Sequence, residues 1–458
     1  MNMERDLLLN EVREHLAEHR LIAIRQFLLD EQPLDIAELF PDLTEEERLL
    51  VYRLLPKEVA AEVLVEMPAE DRRALIAAFS DYELRRVLDE LYSDDTVELL
   101  DEMPANFVRR ILKNCTPEMR RSVNELLKYP DNSAGSMMTT EYVRLSADMT
   151  VEAALSHIRE VAIDKETVYT CYVTDRGRVL IGIVTARMLL ISPLDMKVGE
   201  LMEEHVVTVG THEEREAVAR LFDRYNFLAL PVVDGDGRLV GIITVDDAME
   251  VISEEVEEDF AKMAAMAPSD RPYLQQTPFS IFLTRIPWLL LLMIGATFTG
   301  LIITSFERAL SALVILTSFI PMLMGTGGNS GSQASVTVIR GLSLGEITPR
   351  HLPAVLFKEL RVSLLCGIVL GIVNFGKLLL VDGLLFSNPA VTPMVSLAVS
   401  VSLAITVVAA KLIGCLLPIL ARRIGLDPAV MAAPFITTIV DAVSLLVYFS
   451  MAGLLLGI

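Results

Sequence analysis

The chain has 458 residues, 52% of them hydrophobic, and its 62 acidic against 40 basic side chains give a formal charge of −22. So acidic a chain excludes nucleic acid as a partner, because a phosphate backbone is bound by a basic patch. Its four cysteines, Cys115, Cys171, Cys366 and Cys415, include no C-x-x-C pair, which excludes a disulfide scaffold and fits buried thiols in a reducing compartment.

Met1 to Asp6 opens with charge rather than an apolar core, so no cleaved targeting peptide is expected. Residues 1–131 predict an all-helical, cytosolic domain, with apolar positions recurring every three or four residues. Glu66-Met67-Pro68-Ala69 returns 36 residues later as Glu102-Met103-Pro104-Ala105, a period that suggests a small superhelical solenoid. Glu62, Asp94, Asp95 and Glu98 belong to an acidic surface there, for which a solvated face is the ordinary explanation.

Between residues 132 and 252 short strands alternate with helices, and the pattern occurs twice, over about 132–195 and 196–252. Gly135-Ser-Met-Met138 is echoed 64 residues later by Gly199-Glu-Leu-Met202, and Gly182-Ile-Val-Thr185 by Gly241-Ile-Ile-Thr244. Asp234-Gly235-Asp236-Gly237 predicts a hairpin turn. This pair resembles a tandem of CBS domains, α/β modules that associate as a pseudo-symmetric unit. Thr244 and Asp247 of the second copy are similar to the ribose-binding pattern of nucleotide-binding CBS domains, which implies ATP or another adenine nucleotide as a ligand. The first copy has Met188 in place of the acid.

An acidic connecting helix is expected over 246–270, ending before Pro272 and Pro278. Met249, Ile252, Val256, Phe260 and Met263 share one face, while Asp247, Glu250, Glu254, Glu255, Glu257, Glu258 and Asp259 load the other. Like charges this dense repel one another unless something positive lies alongside.

Charge then changes sign. Residues 1–280 hold 56 acidic and 30 basic side chains, and residues 281–458 hold six and ten. Five apolar stretches follow, roughly 287–304, 310–324, 362–381, 391–419 and 429–456, against the about 20 residues a helix needs to cross a bilayer core. They predict a five-span α-helical membrane domain over residues 275–458. The second stretch is short and runs into glycines, so a helix broken inside the protein is expected there. Arg285, the group Arg340, Arg350, Lys358 and Arg361, and the pair Arg422 and Arg423 mark cytoplasmic sides by the positive-inside rule. The N-terminus is then cytoplasmic and the C-terminus outside, in an inner or plasma membrane.

Two membrane segments are polar. Ile320 to Gln333 sets Gly325, Gly327, Gly328 and Gly331 among Asn329, Ser330 and Gln333. Close helix packing, or carbonyls turned toward an ion, explains the glycines. Packing does not explain the amides, which are expensive in lipid unless they line a cavity or pair. In the last stretch Thr437, Asp441, Ser444 and Tyr448 recur on one face. An ionised Asp441 needs water, a cation or a basic partner, and Lys411 is a partner equally open to it. Pro434 is expected to bend this helix. No histidine lies in any apolar stretch to serve as a base for Ser330, and one deep aspartate makes no aspartyl dyad without a second copy. The chain therefore reads as a non-enzyme.

The order of these parts, with PMLMGTGGNSGSQ from Pro321 to Gln333 and DPAVMAAPFITTIVD from Asp427 to Asp441, resembles the MgtE family of magnesium channels over essentially the whole chain. The resemblance implies a homodimer with a pore on its two-fold axis, lined by Asp441, the carbonyl of Thr437 and Asn329, with Gly325 and Gly328 in the same motif. It also implies regulatory magnesium at Glu62, Asp94, Glu98, Glu216, Asp247, Glu250, Glu255, Glu258, Asp259 and Asp427, closing the pore when cytosolic magnesium is high. Glu98 and Glu250 stand where the family has aspartate, and Asn226 replaces an acid. Magnesium is a hard cation that takes oxygen ligands and keeps much of its water. Cys366 and Cys415 have no partner motif to favour a softer metal. The alternatives are a transporter of manganese or cobalt, or a non-transporting membrane protein whose CBS domains sense a nucleotide.

Overall fold

The computed structural model describes residues 2–101, 103–269, 273, 276–431 and 433–457. Glu102 of the helical repeat, Pro272 and Ala432 of the last motif lie outside the described residues. The chain forms two compact units, Met1–Ile252 and Ser253–Ile458.

The first unit begins with α1 (Asn2–Ala17), α2 (Leu21–Leu29), α3 (Pro33–Ala37), α4 (Glu45–Leu54), α5 (Lys57–Val65), α6 (Ala69–Ala78), α7 (Asp81–Leu88), α8 (Ser93–Asp101), α9 (Ala105–Asn114) and α10 (Pro117–Leu126). Their starts are written in the sequence. Thr44 with Glu47, and Ser80 with Glu83, form reciprocal capping boxes ahead of α4 and α7. Pro68 and Pro104, equivalent points of the repeat, immediately precede α6 and α9. Met67 and Met103 are buried just before those prolines, so the repeat is a helix–turn–helix whose methionine anchors the turn. Helix α5 packs on α7, and α7 on α9.

The α/β part follows as β1 (Tyr142–Leu145), α11 (Val151–Val161), β2 (Thr167–Thr174), β3 (Leu180–Thr185), α12 (Ala186–Ile191), α13 (Val198–Leu201), β4 (Val209–Gly210), α14 (Arg215–Tyr225), β5 (Ala229–Val233) and β6 (Leu239–Thr244). Its two three-stranded sheets, β1-β2-β3 and β4-β5-β6, share one plan, a parallel pair followed by an antiparallel one. The expected hairpin joins β5 to β6, with Asp234 Oδ1 accepting from the amides of Asp236 and Arg238 and Gly237 at φ +78°. The two copies exchange their leading segments. Thr139 pairs with Ile242 and Ile183 with Glu203, so Met138 packs on Gly241 while Met202 packs on Gly182. A Cβ on Gly182 would come 2.8 Å from the Met202 sulfur and one on Gly241 2.7 Å from the Met138 sulfur, which explains why both strands carry Gly at this point.

Helix α15 (Val245–Met263) is the connecting helix. It stops short of the expected end because Ala265 takes a left-handed conformation at φ +53°, closing the last turn. Its apolar line Met249, Ile252, Val256 and Phe260 is exposed in the single chain, and Ala248 and Val251 are buried instead.

The second unit contains α16 (Pro278–Ser305), α17 (Glu307–Ala312), a 3-10 segment (Val314–Phe319), α18 (Ile320–Ser343), α19 (Leu352–Lys377) running on as π-helix through Leu385, α20 (Pro393–Arg423) and α21 (Ala433–Leu456). Among the described residues, four helices are long and apolar enough to cross a membrane, Pro278–Ser305, Pro349–Leu385, Pro393–Arg423 and Pro428–Leu456. The expected break in the 310–324 stretch lies before its glycines, between α17 and α18, where Val314–Phe319 is 3-10 helix. The glycine motif lies inside α18, one unbroken 24-residue helix, whose carbonyls serve helical hydrogen bonds. Its glycines exist for contact. A Cβ on Gly327 would come within 2.7 Å of Ser444 Oγ, one on Gly331 within 2.9 Å of Ile436 Cγ2, and one on Gly414 of α20 would overlap the Gly331 backbone. Pro434 does not bend α21, because it falls in the first turn, where a missing N–H is harmless.

Candidate functional site

Helices α18 and α21 pack along each other, and they carry the two polar motifs singled out in the sequence. Gly328 faces Thr437, whose Cγ2 lies 3.0 Å from where a Cβ would stand. On the other side of α18, Gly325, Asn329, Gln333, Thr337 and Arg340 form an exposed line at helical spacing. A polar line exposed on a membrane helix needs a water-filled space or another polar surface. A Cβ on Gly325 would meet nothing within 4 Å among the described residues.

Asp441 is half-buried on α21. The expected polar face of that helix divides. Ser444 and Tyr448 are fully buried, bonded to the carbonyls of Val440 (2.6 Å) and Leu316 (2.9 Å), while Thr437 and Asp441 remain partly accessible. The hydroxyl of Thr437 donates to the carbonyl of Pro434. The alternative pairing of Asp441 with Lys411 is corrected, because Lys411 Nζ lies 3.3 Å from Glu359 Oε1 on α19. Among the described residues, Asp441 makes no ion pair.

The first unit brings a second set of acids together. Asp94, Asp95 and Glu98 on α8 face Asp247 at the start of α15, and Glu166 joins them ahead of β2. Burial and then the nearby carboxylates push Asp95 up to about 7 and Glu166 up to about 8. They also hold Asp94 well above the usual carboxylate range. Burial raises Asp247 to about 6 against a hydrogen bond from Thr244. One member is already compensated: Glu98 accepts from the buried Arg72 at 3.1 Å. Beside them Glu141 accepts from Ser93 and Thr139, each at 2.7 Å. Glu166 Oε2 is buried without a hydrogen-bond partner among the described residues. No group of three or more such side chains there is drawn into a closed metal cage. The donors are oxygen alone and carry unbalanced negative charge, which suits a magnesium ion that keeps part of its water.

The other expected regulatory residues are dispersed. Glu62 is exposed on α5, Glu250 is exposed and Glu255 half-buried on α15. Glu216 is ion-paired with Arg220 one turn on. Asn226, at the position where an acid was expected, closes α14 in a left-handed conformation at φ 54°, a role that suits Asn better than most side chains. Asp259 Oδ2 lies 3.5 Å from Ser343 Oγ at the end of α18. Lys262 bridges Glu258 and Asp427. At the expected nucleotide position, Thr244 Oγ1 donates to Asp247 Oδ2 at 2.5 Å, so this carboxylate is shared between the ribose pattern and the acidic set.

Sequence reasoning missed Glu141, Glu166 and Lys262. The first two lie at strand edges, with no periodicity to mark them. Lys262 was the one positive charge after the acidic run of α15, a signal that was present.

The family described as divalent cation transporter matches residues 320–451, the MgtE intracellular N domain matches 31–132, and CBS domains match 134–194 and 198–254. The magnesium transporter MgtE of Thermus thermophilus is 38% identical over 97% of this chain and 98% of its own length. That of Bacillus subtilis is 31% identical over 98% of each. Among solved structures, the cytosolic domain of the Mg2+ channel MgtE in complex with ATP is 37% identical and superposes with a TM-score of 0.51, covering 53% of this chain and 99% of that one. The soluble part of a magnesium transporter is 29% identical at a TM-score of 0.52, covering 55% and 99%.

Proposed function

The chain belongs to the MgtE family of magnesium transporters, and from that premise we propose that it admits Mg2+ to the cytoplasm through a pore on the axis of a homodimer. Asp441 carries this reading. It is an acid on an apolar helix with no ion pair among the described residues, next to a helix whose exposed line is polar. Two symmetry-related Asp441 carboxylates and the Thr437 carbonyls attract the ion, and Asn329 and Gln333 hydrogen-bond its retained water. Gly325 and Gly328 keep the passage wide and let Thr437 approach. In this reading α18 is a fifth span, buried by protein on one side and facing the passage on the other, and the N-terminus lies in the cytoplasm.

Regulation uses the acidic set. With little magnesium inside, the carboxylates of α8 and α15 repel one another. When magnesium rises, it binds among Asp94, Glu98 and Asp247 and along Glu250, Glu255 and Asp259, orders α15 and favours the closed pore. Each ion shifts the equilibrium only by its preference for the closed form, so several weak sites give a steep response. ATP or another adenine nucleotide binds near Thr244 and Asp247. It thereby competes for or completes the same acidic set. Manganese and cobalt, similar in size and ligand preference, remain competing substrates. The test is Mg2+ uptake into liposomes containing the purified protein at a fixed membrane potential. No uptake above empty liposomes rejects the reading.

A further inference from the structure

Near the end of α15, Lys262 Nζ lies 2.6 Å from Glu258 Oε1 on its own helix and 2.6 Å from Asp427 Oδ2 in the loop between α20 and α21. Only the first contact is ordinary: a Glu–Lys pair one turn apart stabilises an exposed helix slightly. The second joins residues 165 apart in sequence. Asp427 is held for it, since its other oxygen, Oδ1, accepts from the Ala429 amide at 2.8 Å. All three side chains are about one-quarter to one-third exposed. The turn just beyond Lys262 is fixed as well. Ala265 takes a left-handed conformation, and the Ala267 amide donates to the Thr284 carbonyl of α16 at 3.1 Å.

We propose that the Lys262 ammonium is a built-in cation, occupying the place between Glu258 and Asp427 that a bridging divalent ion would otherwise take and tying the end of α15 to the membrane unit without metal. An ammonium suits this position. It is compact, carries one charge and has three donors, enough for both carboxylates. Its contacts with the two carboxylates, 2.6 Å each, are charge-assisted hydrogen bonds. A magnesium ion reaches these two oxygens only by displacing Lys262, because both cations need the same lone pairs. Lys262 therefore acts as a positioning residue. It removes Glu258 and Asp427 from the metal-responsive set and leaves regulation to the other acids.

The inference rests on the gating role of α15 proposed above, so its test does not use flux. Hydrogen exchange of residues 253–266 is followed in the full-length protein in lipid nanodiscs containing EDTA. Wild type is expected to be protected without metal. Lys262→Met should exchange about tenfold faster, the loss of charge-assisted hydrogen bonds at a local opening, and added Mg2+ should then restore protection by entering the vacated place. Lys262→Arg should keep protection. Lys262→Glu alone should lose it, and Lys262→Glu with Asp427→Lys should regain it, which a merely structural lysine would not allow. Exchange within α20 serves as the folding control. Equal exchange of wild type and Lys262→Met in EDTA, or a charge-swapped pair no better than Lys262→Glu alone, overturns the proposal. Absence of Mg2+ uptake by wild type would instead reject the transport reading and leave these exchange results standing.

Discussion

Lys411 of α20 sits 3.3 Å from Glu359 of α19, so the buried cation of the membrane unit is committed to a carboxylate other than Asp441. The two side chains are 8% and 19% exposed. Such a pair is nearly neutral in net energy while intact, but expensive to break, because a lone buried charge remains. Asp441 has no such relief among the described residues, and a charge kept on an apolar helix without an ion pair calls for water or a passing cation.

Asp441→Ala is therefore expected to abolish Mg2+ uptake while the protein keeps its size on gel filtration and its melting temperature. Wild-type flux in a folded Asp441→Ala protein would remove Asp441 from the pathway.

Lys411→Met should leave transport of the folded fraction intact but cost about 3 kcal/mol of stability, by stranding Glu359. Adding Glu359→Gln should recover most of that loss. If Lys411→Met abolished flux without loss of stability, the lysine would belong to the pathway rather than to a brace between helices.

The glycines divide the same way. A side chain on Gly414 overlaps the Gly331 backbone, whereas a Cβ on Gly325 would meet nothing within 4 Å among the described residues. Gly414→Leu should thus destabilise the helix packing by about 2 kcal/mol or more. Gly325→Leu should fold normally yet pass less magnesium, because it fills space on the exposed line of α18. Thermal melts in detergent and uptake assays separate the two effects. Normal flux through Gly325→Leu would move the passage away from that line.

Much of this was legible in the chain. The two CBS copies were visible because each needs a glycine under the other's methionine, and the helical repeat because a proline fixes each helix start. Helix α18 was misread because glycine, serine and asparagine lower its hydropathy and carry poor helix propensity. Their value lies in contacts with α20 and α21, which a single segment does not display. The stripe from Thr437 to Tyr448 was correctly placed on one face, but periodicity says nothing of what covers that face. Packing by α18 and the segment before it buries its second half. The partners of Lys411 and Lys262 depend on helices far apart in sequence, so proximity could only be guessed.

The acidic set of α8, Glu166 and Asp247 predicts a pH dependence with a definite sign. Their pKa values are raised in the folded chain, to about 7 for Asp95, about 8 for Glu166 and about 6 for Asp247. The folded state therefore holds protons that the unfolded chain has already released. Stability is greatest at low pH and falls as pH rises through those values. In EDTA the melting temperature of the full-length protein should drop between about pH 5.5 and 8.5. Magnesium competes with protons for the same oxygens, so it should raise the melting temperature more at the upper pH. A melting temperature that is flat or rising with pH in EDTA would show that these acids do not crowd one another.

Gating gives the last prediction. Seven acids between Asp247 and Asp259 load one helix, and Lys262 offsets only the last part of that charge. Like charges along one helix destabilise it, a cost that bound magnesium lowers. Replacing Glu255, Glu258 and Asp259 together by Gln, Gln and Asn removes two ligands for the ion, Glu255 and Asp259, and part of the repulsion it relieves. The closed form then gains less from each bound ion, and the cytosolic magnesium that halves flux should rise by about tenfold, the effect of losing about 1.4 kcal/mol of linkage. Removing residues 1–131, which takes Asp94 and Glu98 away from Asp247, should act in the same direction. Sodium at equal ionic strength should not reproduce the wild-type inhibition, because screening weakens repulsion without joining two carboxylates. Patch recordings from liposomes, with magnesium varied on the cytosolic face, give all three curves. Superimposable curves for the wild type and the neutralised channel would leave the acids of α15 as a solvated surface with no part in closure.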